Sequence, residues 1–513
     1  MPNPRSARRT PALLLTAVVA SVCALLATML STPAVAANAS SGRVTATHTK
    51  VAKKHDRVFR ARHALARAQK ALSPKTPASE RPDATLALRN LWLLRDSLSP
   101  ADRAAADKLA ARPTKPAVVG NANILVHYDP AELSPTGYTV DQALAALTYV
   151  SDTYAGSGYR RPKSDGTKGG DGRIDIYLDS LEPGLYGYCT TDQKKLDKPG
   201  HYDVWAYCVL DNDYAGFPSH TPLQNLQVTA AHEYYHATQF AYDIADDGWF
   251  LEATATWAED ELYDDVNDNV QYLRDSPITH PSKPMDKFGG VFHYGVWNFF
   301  RFLTEQFPTK AGAMPALLLQ MWQNADSSKG PKKDKYSTEA IDKALKKAGH
   351  VRLGEMFALY SVATRSSHVF FNEGVEQNYP AKQLAGTVTL SPKKKKTFKA
   401  KLDHLTSSTF QFLPSGTSKL KLRFDMAPKS TGARAVVVSY NTDGSMTVKN
   451  VKVNAKGKAN KKFAFGGTVA LIEVTLVNSS TRYRDCFKRS TPYACSGRPL
   501  DDNLRGSVRG QAA

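Results

Sequence analysis

Cysteine is scarce in this chain, five residues among 513. Cys23 lies in an N-terminal apolar run, which leaves two sequence-local pairs, Cys189 with Cys208 and Cys486 with Cys495. Neither pair has the Cys-x-x-Cys spacing of a thiolate zinc site, so the even remainder points to two disulfides in an exported chain. Long apolar runs are also missing beyond the N-terminus, and no later stretch is long enough to span a bilayer. Lysine and arginine are absent from residues 201–270, which hold fourteen Asp or Glu. Residues 385–513 reverse the balance with 24 Lys or Arg against 7 acids, so the formal charge of +19 belongs mainly to the tail. That tail could contact an anionic cell-wall polymer, although a solvated basic surface is the simpler reading, and no specific nucleic-acid partner is expected.

Arg5, Arg8 and Arg9 precede the apolar run from Ala12 to about Leu30, and Ala34-Val35-Ala36 follows. This is the plan of a secretory signal peptide cleaved after Ala36, with an uncleaved anchor as the alternative. Residues 37–116 carry only helical signals, among them Ser99-Pro100-Ala101-Asp102 as a helix start. The region reads equally as a removable propeptide and as a retained helical domain. Residues 117–384 mix strand and helix, with strands at Asn123–Tyr128 and Val204–Leu210, a turn followed by a strand within Gly169–Leu178, and a helix opening at Thr139. From Ala385 onward short alternating strands predict a basic β-sandwich.

The chemical centre is His232-Glu233-Tyr234-Tyr235-His236. On a helix the two histidines project from one face and can grip one metal ion, while Glu233 can reach a water activated by that metal. Zinc hydrolysis needs a third protein ligand and an open position. The H-E-x-x-H-x-x-G-x-x-H pattern is broken by Gln239 and Tyr242, so the third ligand is not that histidine. A carboxylate remains, and Trp249–Glu259 offers one.

There the chain resembles the gluzincins, through the W-x-x-E-x-x-x-x-[YW]-x-E pattern at Trp249, Glu252, Trp257 and Glu259. With Asp171–Asp175 and Asp211–Tyr214 it is also similar to a group of secreted bacterial metalloproteases over residues 120–365. The resemblance implies an α+β zincin-like domain, with a mixed sheet, the H-E-x-x-H helix and a helical lower half, ahead of an all-β sandwich. It implies zinc held by His232, His236 and Glu252, and Glu233 as general base. Tyr294, with His293 second, is the implied oxyanion donor. Thr256 stands where thermolysin-like relatives carry Asp, and Glu259 could equally orient a ligand histidine or be a solvated helix charge.

The expected function is a secreted, monomeric zinc metallopeptidase acting on a peptide or protein substrate. The alternatives are a cell-envelope binding protein with an inactive zincin core and a zinc hydrolase of a non-peptide amide. Calcium is a further candidate cofactor, at Asp165, Asp171 and Asp175 or at Asp264, Asp265, Asn267, Asp268 and Asn269.

Overall fold

The computed structural model describes residues 46–513, with side chains from Asp56 onward, so the expected signal peptide and Cys23 lie outside the described residues. The described chain is mixed α/β with a β-rich C-terminal region, and it forms two compact units. The first comprises residues up to Ala155 and Tyr159–Ala245, and the second Gly156–Gly158 and Asp246–Ala513.

The first unit opens with helices α1 (Ala46–Ala71), α2 (Ala84–Leu94) and α3 (Pro100–Leu109). Local chemistry starts the latter two. The Asp83 carboxylate accepts the Leu86 N–H at 2.7 Å, and the Ser99 hydroxyl accepts the Asp102 N–H at 3.1 Å ahead of Pro100. Strands β1 (Ala117–Gly120), β2 (Ile124–Tyr128), β3 (Ile174–Asp179), β4 (Gly187–Thr190) and β5 (Tyr207–Asp211) form one sheet in the order β1-β2-β3-β5-β4. The three central strands run parallel and each edge strand is antiparallel to its neighbour. Helix α4 (Val140–Gly156) follows β2, its first turn closed by reciprocal bonds between Thr139 and Gln142. Helix α5 (Pro222–Asp243), which carries the H-E-x-x-H pattern, follows β5.

The compact units divide the chain differently from the boundaries expected at residues 117 and 385. Ala84, Leu88 and Leu91 of α2 share one apolar core with Tyr177, Tyr188, Tyr207 and Val209 of the sheet. Removing the N-terminal helices would strip that core from the strands, at roughly 25 cal/mol for each Å² of apolar surface exposed. Arg112 adds ion pairs to Asp165, Asp175 and Asp192, and Arg89 donates to the Ile244 carbonyl at 2.6 Å.

The second unit begins with α6 (Gly248–Leu262) and continues through α7 (Trp297–Gln306), a small β6 (Lys310–Ala311) and β7 (Met314–Pro315) hairpin, α8 (Ala316–Asn324), α9 (Ser337–Gly349), α10 (Leu353–Ala363) and the short α11 (Ser367–Phe370). Aromatic packing joins these helices, as where Phe250 stacks on Trp322 with centroids 4.6 Å apart. Two sheets follow. One has the order β13-β12-β15-β10-β8 and the other β14-β11-β18-β9. The strands are β8 (Gly386–Leu390), β9 (Lys395–Leu402), β10 (Thr406–Pro414), β11 (Lys419–Asp425), β12 (Ala433–Asn441), β13 (Met446–Asn450), β14 (Lys458–Ala464), β15 (Val469–Asn478) and β18 (Leu504–Ala512), with the small pair β16 (Tyr483–Arg484) and β17 (Arg498–Pro499) between. Phe410, Phe412, Leu422, Phe424, Ile472 and Val474 belong to one shared sandwich core.

Buried polar contacts tie the sandwich to the helices before it. The Lys382 ammonium donates to the Ser361 carbonyl at 3.0 Å and to the Ser407 hydroxyl at 2.7 Å. His404 lies between two carboxylates, 2.9 Å from Asp286 and 2.6 Å from Asp502, and Asp286 also accepts from the Tyr483 hydroxyl at 2.6 Å. Both expected disulfides are present, Cys189–Cys208 in the first unit and Cys486–Cys495 in the second. Among the described residues no helix is long and apolar enough to cross a membrane.

The His404 contacts set a pH dependence. Burial alone would lower the imidazole pKa, but Asp286 and Asp502 outweigh it and raise it from 6.5 to about 10. A raised folded-state value means that the contribution is fully present below about pH 6.5 and is lost as pH rises through about 10. At about 1.4 kcal/mol per pKa unit, this amounts to a few kcal/mol. Thermal melts at pH 6, 8 and 10 should show the wild-type midpoint falling across this range more steeply than that of His404→Gln. Parallel curves would refute the assignment.

Candidate functional site

Helix α5 starts where its sequence dictates. Thr221 and Gln224 form a capping box around Pro222 at the first turn, satisfying backbone N–H groups that have no partner within the helix. Every residue from Val228 to Asp243 is buried. Several of its polar side chains are hydrogen-bonded. Tyr234 shares a 2.8 Å bond with Ser151, the Tyr154 hydroxyl donates to the Ala231 carbonyl at 2.9 Å, and the Tyr235 hydroxyl lies 3.3 Å from that of Tyr159.

His232 and His236 face one another one turn apart, with their Nε2 atoms 3.0 Å apart. The Nδ1 of His236 lies 2.7 Å from the Gln239 side-chain oxygen. An amide oxygen only accepts, so that nitrogen carries the proton and the Nε2 of a neutral His236 presents its lone pair toward His232. Gln239, which the sequence marked only as a break in a three-histidine pattern, therefore fixes the tautomer of a candidate ligand. Its position three residues after His236, one turn along the same face, is the signal for that role.

Glu233 is held from a direction the motif does not indicate. Thr85 at the start of α2 accepts the Cys189 N–H at 3.0 Å, which leaves its own hydroxyl proton to bond the Glu233 carboxylate at 3.3 Å. The Cys189 sulfur lies 2.8 Å from the Glu233 carbonyl oxygen. Gly187 makes room beside it, because a Cβ there would stand 3.1 Å from the Glu233 Cγ and 3.0 Å from the Val209 carbonyl. Thr85, Gly187 and Cys189 thus frame Glu233 from helix and edge strand together.

Glu252 lies on the second turn of α6 in the second unit and is fully buried, as are Trp249 and Trp257. Trp249 stacks on Phe300 with centroids 6.2 Å apart, so the aromatic positions of the W-x-x-E pattern serve the core of that unit. Glu259 is buried as well, which excludes a solvated helix charge. Tyr294 is half-buried in a short 3-10 turn, stacked on Tyr272 at 5.0 Å and beside His293 at 4.4 Å.

The acidic groups considered for calcium near the first sheet are bonded to arginine. Arg112 bridges Asp165, Asp175 and Asp192, while Asp171 pairs with Arg173 and is held at about 2, chiefly by that side-chain bond. In the second unit Asp260, Asp264 and Glu373 place carboxylate oxygens within 4.8 Å of one another, and Arg301 pairs with Asp260 and Glu261. The Asn269 amide donates to Asp260 at 2.8 Å.

Comparison with known proteins adds little. No family model and no curated protein matches the chain. A solved structure described as a family GH115 4-O-methyl-α-glucuronidase with specificity for decorated arabinogalactans is 10% identical, with a TM-score of 0.13 over 56% of this chain. The match spans 38% of that structure's length, and a likeness of this size carries no argument about fold or activity.

The Thr85 contacts can be tested without any assay of function. Thr85→Val leaves a buried N–H and a carboxylate each short of one bond and should lower stability by about 1–3 kcal/mol in urea melts. Thr85→Ser keeps the hydroxyl and should stay within about 1 kcal/mol of wild type. Equal stability of Val and Ser variants would contradict the bonding described.

Proposed function

We propose that the chain is a zinc-dependent hydrolase of peptide bonds, with His232 and His236 as ligands, Glu252 as the third, and Glu233 as general base. The observation that carries this is the 3.0 Å approach of two buried imidazole nitrogens, one of them oriented by Gln239. Zinc bonded to two imidazoles at about 2.0–2.1 Å in tetrahedral geometry sets their nitrogens about 3.3 Å apart, so the pair fits the ion with a shift of a few tenths of an ångström. Two neutral imidazoles and one carboxylate are also the donor set that suits catalytic zinc.

When bound, the metal supplies Lewis acidity, polarising a carbonyl and making water easier to deprotonate. The chain's own residues do the rest. Glu233 accepts the proton of the attacking water and returns it to the leaving amine. Thr85 holds that carboxylate in place, and Gln239 keeps the His236 proton on the far side of the ring. Tyr294 is the proposed donor to the oxyanion. The absence of Lys and Arg from residues 201–270 favours substrates with a positive end. The two disulfides agree with work outside the reducing cytosol.

Metal analysis and peptide hydrolysis together test the reading. The purified chain should hold about one zinc, and His232→Ala, His236→Ala and Glu252→Ala should each lose it. Glu233→Gln should keep the metal and lower hydrolysis at least about 100-fold. A metal-free wild type, or a Glu233→Gln variant as active as wild type, would sink the proposal.

A further inference from the structure

One face of the C-terminal sandwich is covered with cations that lack acidic partners. In the sheet β14-β11-β18-β9, Leu420, Leu422, Phe424, Phe398 and Val508 turn into the core, so alternate residues turn to solvent. Lys421 stands directly opposite Lys462, Arg423 opposite Arg509, and Arg505 opposite Lys401. Among the described residues none of these six forms an ion pair, and all but the half-buried Arg509 are exposed. Asp425, paired with Lys458 at 3.9 Å, is the single acid within the four strands.

Like charges directly opposite one another across strands destabilise a sheet. Alternating signs would serve stability and solubility equally well, so neither accounts for this pattern. Along a strand the outward positions recur about every 6.8 Å, and neighbouring strands lie about 4.8 Å apart. The result is a grid of positive charge on the solvent face, complementary to a chain of closely spaced anions.

We propose that this face binds a linear, phosphodiester-linked polyanion of the cell envelope. The match is one of charge. An extended polymer with one phosphate per repeat can lie along the strands and exchange its counterions for successive Lys and Arg side chains. The two disulfides agree with an oxidising compartment, where envelope polymers rather than cytosolic nucleic acids are the abundant polyanions. The inference uses residues of the sandwich alone and does not depend on the zinc site.

The test uses the full chain and purified poly(glycerol phosphate), with neutral dextran and duplex DNA as comparison probes. A triple variant, Lys421→Gln with Arg423→Gln and Arg509→Gln, removes three charges from the face. A control triple on α9, Lys343→Gln with Lys346→Gln and Lys347→Gln, removes the same charge from an exposed helix surface. The expected result is salt-sensitive binding of poly(glycerol phosphate) that falls at least tenfold in the face triple and less than twofold in the control. The face triple should also melt no lower than wild type, since it relieves repulsion. Equal loss in both triples, absence of binding by wild type, or tighter binding to DNA than to poly(glycerol phosphate) would each overturn the proposal.

Discussion

Two imidazole nitrogens 3.0 Å apart in a buried setting cannot both point a proton at the other. Gln239 holds the His236 proton on Nδ1, so His236 can only accept at Nε2, and His232 must offer either a proton or a share of a cation. Much of the first unit serves this arrangement. The capping box fixes the start of α5, the tyrosines Tyr234 and Tyr235 bond outward to hold its rotation, and the sheet supplies a wall against which a helix with polar residues can be buried.

The same unit shows how one edge strand serves two purposes. An edge presents unpaired backbone groups that invite further pairing. Here β4 offers the Cys189 N–H, and Thr85 takes it. The threonine hydroxyl, once it has accepted that bond, can only donate onward, and Glu233 receives it. The helices before residue 117 thus contribute to the surroundings of the motif as well as to the core beneath the sheet. A segment that reads equally as a removable propeptide and as a retained helical domain is joined to the motif through Thr85.

The sequence made some of this legible. Helix starts at Thr139 and Ser99 and the two disulfides followed from local chemistry, because caps and short-range pairs depend on neighbouring residues. The alternating strands after Ala385 were legible for the same reason, since period-2 burial is written along each strand. The pairing of His232 with His236 was visible in their spacing of four. Thr85 was not, because 148 residues separate it from Glu233 and nothing in either segment indicates the other. The merging of residues 56–116 with the sheet escaped for a related reason. Its apolar positions read only as a small helical region ahead of the core, and the structure shows that they pack on Tyr188 and Tyr207.

Gly187 has a consequence for which changes this protein can tolerate. A metal ligand can sometimes be exchanged for another donor, and a core leucine for another apolar residue of similar volume. Gly187 has less freedom, since even a methyl group would press on Thr229, on Val209 and on Glu233 at once. A residue with no chemistry of its own, 46 positions before the glutamate it accommodates, is therefore constrained beside the motif. A signature for this arrangement in other chains would be Gly-x-Cys on an edge strand together with His-Glu-x-x-His, rather than the five-residue pattern alone.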